Sequence, residues 1–315
     1  MKTFFKSSLV LVCLIFIYLN LRDNQNIIDS IFNFGLIKIS KIILFCVLSI
    51  LIYSKLILLT LRNICNLKIS NNKWNLIYFN SQFLNSIPFF GILYRAKKLK
   101  NLDLSYEKFF AVYLLITWIY LFLTLLLISF EILIFIPDYK FFNLNLYYLT
   151  FVCGIFFIFV PLIFIKFILF ISKKYLINKI HISKIKILLS IFDITKHKAK
   201  FLRQFIFFFI FLHIFEFLIF FELISGLKLD ISLNKSYLIF IGTSLVDSIN
   251  ILPQNILISD IGYGFVTKYL ENDFQLGVMS KLYMRFVIFT SSILIAIVYS
   301  IYANTFQKKL WKLQI

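Results

Sequence analysis

Asn85-Ser86-Ile87-Pro88-Phe89-Phe90-Gly91-Ile92-Leu93-Tyr94-Arg95 and Asn250-Ile251-Leu252-Pro253-Gln254-Asn255-Ile256-Leu257-Ile258-Ser259-Asp260 are the two stretches that break an otherwise apolar chain. Only 4 prolines and 8 glycines occur in 315 residues, so these breaks are specific features and not a general softness of composition. Between them lie apolar runs that reach the roughly 20 residues a helix needs to cross a bilayer. In hydrocarbon, irregular backbone survives only where protein or a wet cavity satisfies its polar groups. Both breaks are therefore expected to be turns inside a membrane domain. Paired interruptions of this kind point to a substrate site.

Composition agrees. The chain is 61% hydrophobic with a mean hydropathy of +0.92, which leaves too little polar surface for a soluble fold. The spans use nearly the whole length, so residues 1–315 read as a single integral membrane domain with no room for a soluble catalytic one. A net charge of +19 would suggest nucleic acid in a soluble protein. Here Lys and Arg concentrate in two segments between spans, as the positive-inside rule requires, and no nucleic-acid partner is expected. Cys13, Cys46, Cys65 and Cys153 stand singly, which supports neither a disulfide framework nor a metal site. No nucleotide-binding glycine loop, nucleophile elbow or zinc-protease His pair occurs, so no catalytic residue, metal or cofactor is nominated. The start, Met1-Lys2-Thr3-Phe4-Phe5-Lys6, lacks a small-residue cleavage site downstream and reads as an uncleaved first span.

Six full spans are expected, at about 7–21, 42–61, 109–136, 147–172, 205–227 and 282–304, with broken regions at 74–95 and 237–270. Segment 62–108 carries eight Lys/Arg and segment 173–204 carries nine. Placing both inside with the basic termini leaves only eight on the other face, Lys268 and Lys281 among them. Both termini are then cytoplasmic. This topology holds only if each broken region enters and leaves from one side: the first from the cytoplasm, the second from outside. The fold expected is an all-α polytopic bundle of six spans with two oppositely oriented re-entrant hairpins, an inverted repeat. Segment 173–204, with Ile185, Leu188, Leu189 and Phe192 among lysines, reads as an interfacial helix on an anionic leaflet. Ser105, with Glu107 two residues on, reads as an N-cap.

Pro88, Gly91 and Arg95 form Pro-x-x-Gly-x-x-x-Arg. Pro88 can open a helix, Gly91 permits close approach, and the Arg95 guanidinium suits bidentate phosphate binding. The competing reading makes Arg95 merely the first member of a basic cluster with Lys97, Lys98 and Lys100. Asp260 lies seven residues after Pro253 in an apolar stretch, where a carboxylate needs a partner or water. Arg285 is the candidate partner. Asn250 and Asn255 are read as satisfying backbone groups in the second break. His213 and Glu216 are i,i+3 neighbours that either relay protons or act structurally, and Glu131 is near enough to a span end to snorkel. Asp23 and Asp29 after the first span leave open a polyprenyl-phosphate-dependent glycosyltransferase.

These breaks resemble the transmembrane (flippase-like) domain of the lysylphosphatidylglycerol synthase family, and the similarity runs from the first span to the last. Asn85 to Lys98, with Leu104-Ser105-Tyr106, is similar to the family's Pro-x-x-Gly-x-x-x-Arg segment. Pro253 to Asp260, with Arg285 downstream, is similar to its Pro-Gly-Asn-Leu-Gly-x-x-Glu segment and later Arg. Pro88, Gly91, Arg95, Pro253, Asn255 and Arg285 match. Gln254 and Leu257 replace glycines, and Asp260 replaces glutamate. The resemblance implies a bacterial inner-membrane protein that moves or presents phospholipid or polyprenyl-linked lipid, with two re-entrant regions around a lipid-facing cavity. Arg95, Arg285 and Asp260 are then the headgroup-binding candidates. Full-length lysyltransferases of the family carry a soluble synthase domain after the membrane part, so aminoacyl transfer by this chain alone is not expected. A homo-oligomer or a separate synthase would be the protein partner.

Overall fold

The computed structural model describes residues 35–84, 90–135, 140–141, 144–145, 147–156, 163, 166–167, 199–226, 232–249, 258–271 and 274–312. Among these the architecture is helical: α1 (Leu36–Cys65), α2 (Asn71–Leu84), α3 (Phe90–Lys100) and α4 (Tyr106–Phe135) come first. A two-residue antiparallel pairing, β1 (Lys140–Phe141) with β2 (Leu144–Asn145), leads into α5 (Tyr147–Phe156). Then follow α6 (Ala199–Gly226), α7 (Leu233–Ile249), α8 (Ile258–Glu271) and α9 (Phe274–Lys312).

Four of these helices, α1, α4, α6 and α9, are long and apolar enough to cross a membrane. At 1.5 Å per residue, 30 residues reach about 45 Å, more than the ~30 Å hydrocarbon core. Their outward faces carry large apolar side chains, including Phe130, Ile134, Phe207, Phe211, Phe286 and Val298. Apolar exposure on this scale marks a surface that water does not meet. The chain is a helical membrane bundle.

These four coincide with the expected spans at 42–61, 109–136, 205–227 and 282–304. Of 147–172, the structure describes α5 and three residues beyond it. The span at 7–21 and the interfacial segment up to 198 lie outside the described residues. Each proline-marked break falls between two shorter helices that pack on one another, α2 with α3 and α7 with α8. Their bounds run slightly beyond the expected 74–95 and 237–270.

The local chemistry explains the helix ends. Ser105 caps α4: its Oγ accepts the Lys108 N–H at 3.4 Å, and Glu107 sits in the first turn. At the end of α3, Asp103 takes a left-handed φ of 61°. The Leu104 N–H reaches the Leu99 carbonyl at 3.2 Å and the Asp103 N–H reaches that of Lys100 at 3.1 Å. This is a Schellman motif, closed by buried Leu99 and Leu104. Asn66, with φ 53°, ends α1 in the same conformation.

By internal contacts the described residues divide into two compact units: those of Met1–Cys46 and Phe215–Ile288 form the first, those of Val47–Ile214 and Phe289–Ile315 the second. In the first, Lys38 donates to the Ser225 carbonyl at 3.0 Å and Lys41 lies 3.5 Å from Glu222, so α1 and α6 run antiparallel there. Ile42, Cys46, Ile219 and Leu223 fill the space between them. In the second, fully buried Trp74 donates its indole N–H to the Ser54 carbonyl and hydroxyl, both at 3.0 Å. That bond fixes α2 to α1 at the centre of the larger core.

Gly277 marks a tight contact between α8 and α9 in the first unit. A Cβ there would collide with the Tyr263 carbonyl oxygen and the Thr267 hydroxyl on α8. Backbone cannot yield as a side-chain tip can, so Gly277→Val is expected to destabilise the fold by about 1–3 kcal/mol. Thermal unfolding in detergent measures this, and a variant as stable as the parent would show that α8 and α9 are not in close contact.

Candidate functional site

Two buried polar centres stand out, one in each unit. In the second unit, the inward face of α3 is Gly91, Arg95, Ala96 and Leu99, all buried, while Lys97, Lys98 and Lys100 face outward. Arg95 is therefore not the first member of the basic cluster; its side chain points the other way. Helix spacing explains this, since positions 91, 95 and 99 recur every four residues on one stripe. The guanidinium lies between two aromatic rings, 5.2 Å from the Tyr78 centroid and 5.1 Å from that of Tyr113. Its Nε donates to the Gly91 carbonyl at 3.3 Å.

Arg95 Nη1 and Tyr113 Oη are both buried without a hydrogen-bonded partner. No described carboxylate lies within ion-pair distance of Arg95. A buried cation normally has a counter-charge, because the desolvation cost is otherwise uncompensated. Two cation–π contacts offset part of that cost. What remains is a buried guanidinium beside the Tyr113 phenol, suited to an anion carried by a ligand.

In the first unit, α7, α8 and α9 bring together two acids and two bases. Arg285 donates to Asp260 Oδ2 at 2.7 Å, so the structure forms the pairing the sequence suggested. Four residues earlier on α9, Lys281 Nζ donates to both Asp247 oxygens at 2.8 and 2.6 Å. The Tyr263 hydroxyl donates to Asp247 Oδ2 at 2.7 Å, and Lys281 Nζ sits 4.4 Å from the Tyr263 ring centroid. Asp247 thus accepts from both Lys281 and Tyr263. Asp260 Oδ1 is buried and makes no hydrogen bond.

Asp247, Tyr263 and Lys281 were not foreseen. The available signals were an acid inside the apolar run of α7 and a basic pair at 281 and 285, which share one helix face. Tyr78 and Tyr113 were not foreseen either, since nothing in sequence joins them to Arg95. Pro88, Pro253, Asn250 and Asn255 lie outside the described residues, as do Asp23 and Asp29.

A smaller polar contact completes the second unit. His213 Nε2 lies 3.5 Å from Glu131 Oε1, and both side chains are buried. Glu131 therefore does not snorkel to a span end. It faces a histidine across the α4–α6 contact. Among the described residues, no group of three His, Cys, Asp or Glu side chains could hold a metal ion.

Compared with known proteins, the chain matches no family, no curated protein and no solved structure.

Proposed function

We propose that the chain handles anionic lipid in a bacterial inner membrane, binding a phosphate-bearing headgroup and moving it between leaflets. The lipid is a phospholipid or a polyprenyl-linked carrier. The observation that carries this reading is Arg95: a buried guanidinium held between two tyrosines, with no carboxylate and an unused N–H. An arginine prepared in this way recognises phosphate through charge-assisted, directional bonds. The apolar flanks of the bundle would accommodate the acyl or prenyl chains.

Arg285 has a different part in this scheme. Asp260 already neutralises it, so a phosphate would have to displace that carboxylate first. We therefore assign headgroup binding to Arg95, and assign Arg285 with Asp260 to holding α8 against α9. We also propose a topology of six spans and two opposed re-entrant hairpins with cytoplasmic termini; the self-packed helix pairs α2–α3 and α7–α8 are compatible with the hairpins, and the Lys/Arg distribution carries the orientation. The likeness of the two breaks to the transmembrane domain of the lysylphosphatidylglycerol synthase family supports the same reading. On this view the chain transports lipid and catalyses no reaction alone.

Lipidomics of the purified protein tests the headgroup assignment. The wild type is expected to retain an anionic lipid class through detergent extraction, and Arg95→Met to lose roughly tenfold of it relative to zwitterionic lipid. Equal retention by the two proteins would remove Arg95 from the binding site.

A further inference from the structure

A groove flanks α3 about a quarter-turn round the helix from Arg95. A cavity of about 310 Å³ opens between α2 and α3, lined by Lys73, Leu76, Ile77 and Asn80 from α2 and by Tyr94, Lys98, Asn101 and Leu102 from α3 and its end. On α2 the lining positions fall at i, i+3, i+4 and i+7, and on α3 at i, i+4, i+7 and i+8. Each set is one continuous stripe of a helix. The cavity is thus a built groove between two packed faces, and its size matches the lower end of small-ligand sites.

Its chemistry has one sign. The lining offers two ammonium groups and two carboxamides and contains no acid. Lys73 occupies the first turn of α2, where helix N–H groups already favour negative charge; Ser70 Oγ caps that turn by accepting the Lys73 N–H at 3.3 Å. Lys98 Nζ lies 5.5 Å from the Tyr94 ring centroid, which places its charge over the groove wall. Leu76, Ile77 and Leu102 form an apolar floor between the polar groups.

We infer that this groove binds a phosphate monoester whose non-polar remainder rests on that floor. The two lysines neutralise the phosphate, Asn80 and Asn101 donate to its oxygens, and the apolar side chains take the glycerol or acyl stem. The shared chemistry fits a phosphatidic-acid-type lipid headgroup or a free phosphate compound. This assignment requires no lipid movement, so it stands or falls apart from the transport reading.

Titration of the full chain in phosphatidylcholine nanodiscs tests it, with dihexanoyl phosphatidic acid as one probe and inorganic phosphate as the other. Saturable binding of the lipid probe is expected, with inorganic phosphate roughly tenfold weaker because it leaves the floor unused. Equal binding of both probes would identify phosphate alone as the recognised group. Lys73→Gln with Lys98→Gln is expected to weaken binding at least roughly tenfold, and more so at low salt. Leu76→Trp keeps both lysines but fills the groove, and should weaken binding similarly. Absence of saturable binding to either probe, or wild-type affinity in the double lysine variant, would overturn the inference. So would wild-type affinity in Leu76→Trp, which would reduce the site to diffuse surface charge.

Discussion

Replacing Arg285 by leucine is expected to destabilise the folded chain by about 1–3 kcal/mol, the range for leaving a buried acceptor without its donor, because Asp260 is buried while Arg285 is only partly so. Its partner Asp260 is buried, and one of its carboxylate oxygens already lacks a hydrogen bond. Removing the guanidinium would leave a second oxygen without its 2.7 Å donor. Lys281, one turn earlier on α9, is already engaged by both oxygens of Asp247 at 2.8 and 2.6 Å. The double change Asp260→Leu with Arg285→Leu should recover most of the loss, since a well-packed apolar pair is often as stable as an ion pair. Thermal unfolding of the four proteins in one detergent forms a double-mutant cycle that measures the coupling. A single variant as stable as the wild type would mean that Asp260 is solvated and the pair is incidental.

The second large effect has the opposite sign on stability. Arg95→Met is expected to leave the lipid-free fold as stable as the wild type or more so, while weakening headgroup binding roughly tenfold. The physical ledger has two sides. Burying a guanidinium without a counter-ion costs several kcal/mol even after relaxation. The two cation–π contacts with Tyr78 and Tyr113 return about 0.5–2 kcal/mol each. Methionine keeps similar volume and fits irregular apolar space. A residue held at a net cost to the fold is one retained for what it binds. If Arg95→Met instead unfolds the protein, Arg95 is a structural member of the core and its cradle is not a binding site.

The sequence revealed the spans because their apolar runs exceed what a soluble helix needs, and four of them appear as long helices. Pro88 and Pro253, rare punctuation in this composition, lie outside the described residues, between α2 and α3 and between α7 and α8. Side-chain direction was harder to read. Arg95 looked like part of a basic run because Lys97, Lys98 and Lys100 surround it in sequence, yet Arg95 is buried and all three lysines are exposed. The start of α9 shows a different limit. The expected span began at 282, whereas the helix begins at Phe274, because Lys281 looked like a loop charge. Once Asp247 neutralises it from another helix, the charge no longer ends the apolar segment. His213 likewise had no visible partner in sequence, since Glu131 reaches it from a different helix. Contacts between helices distant along the chain are set by packing, which periodicity does not encode.

The central claim is that Arg95 engages the headgroup of a lipid that this chain moves. Proteoliposomes containing a fluorescent anionic phospholipid, with outer-leaflet label quenched by dithionite, measure that movement directly. Wild-type protein is predicted to expose inner-leaflet lipid well above protein-free vesicles. Folded Arg95→Met, reconstituted at equal density, is predicted to fall at least roughly tenfold below it. Lipid movement by Arg95→Met at the wild-type rate, or wild-type vesicles no faster than empty ones, would contradict the account.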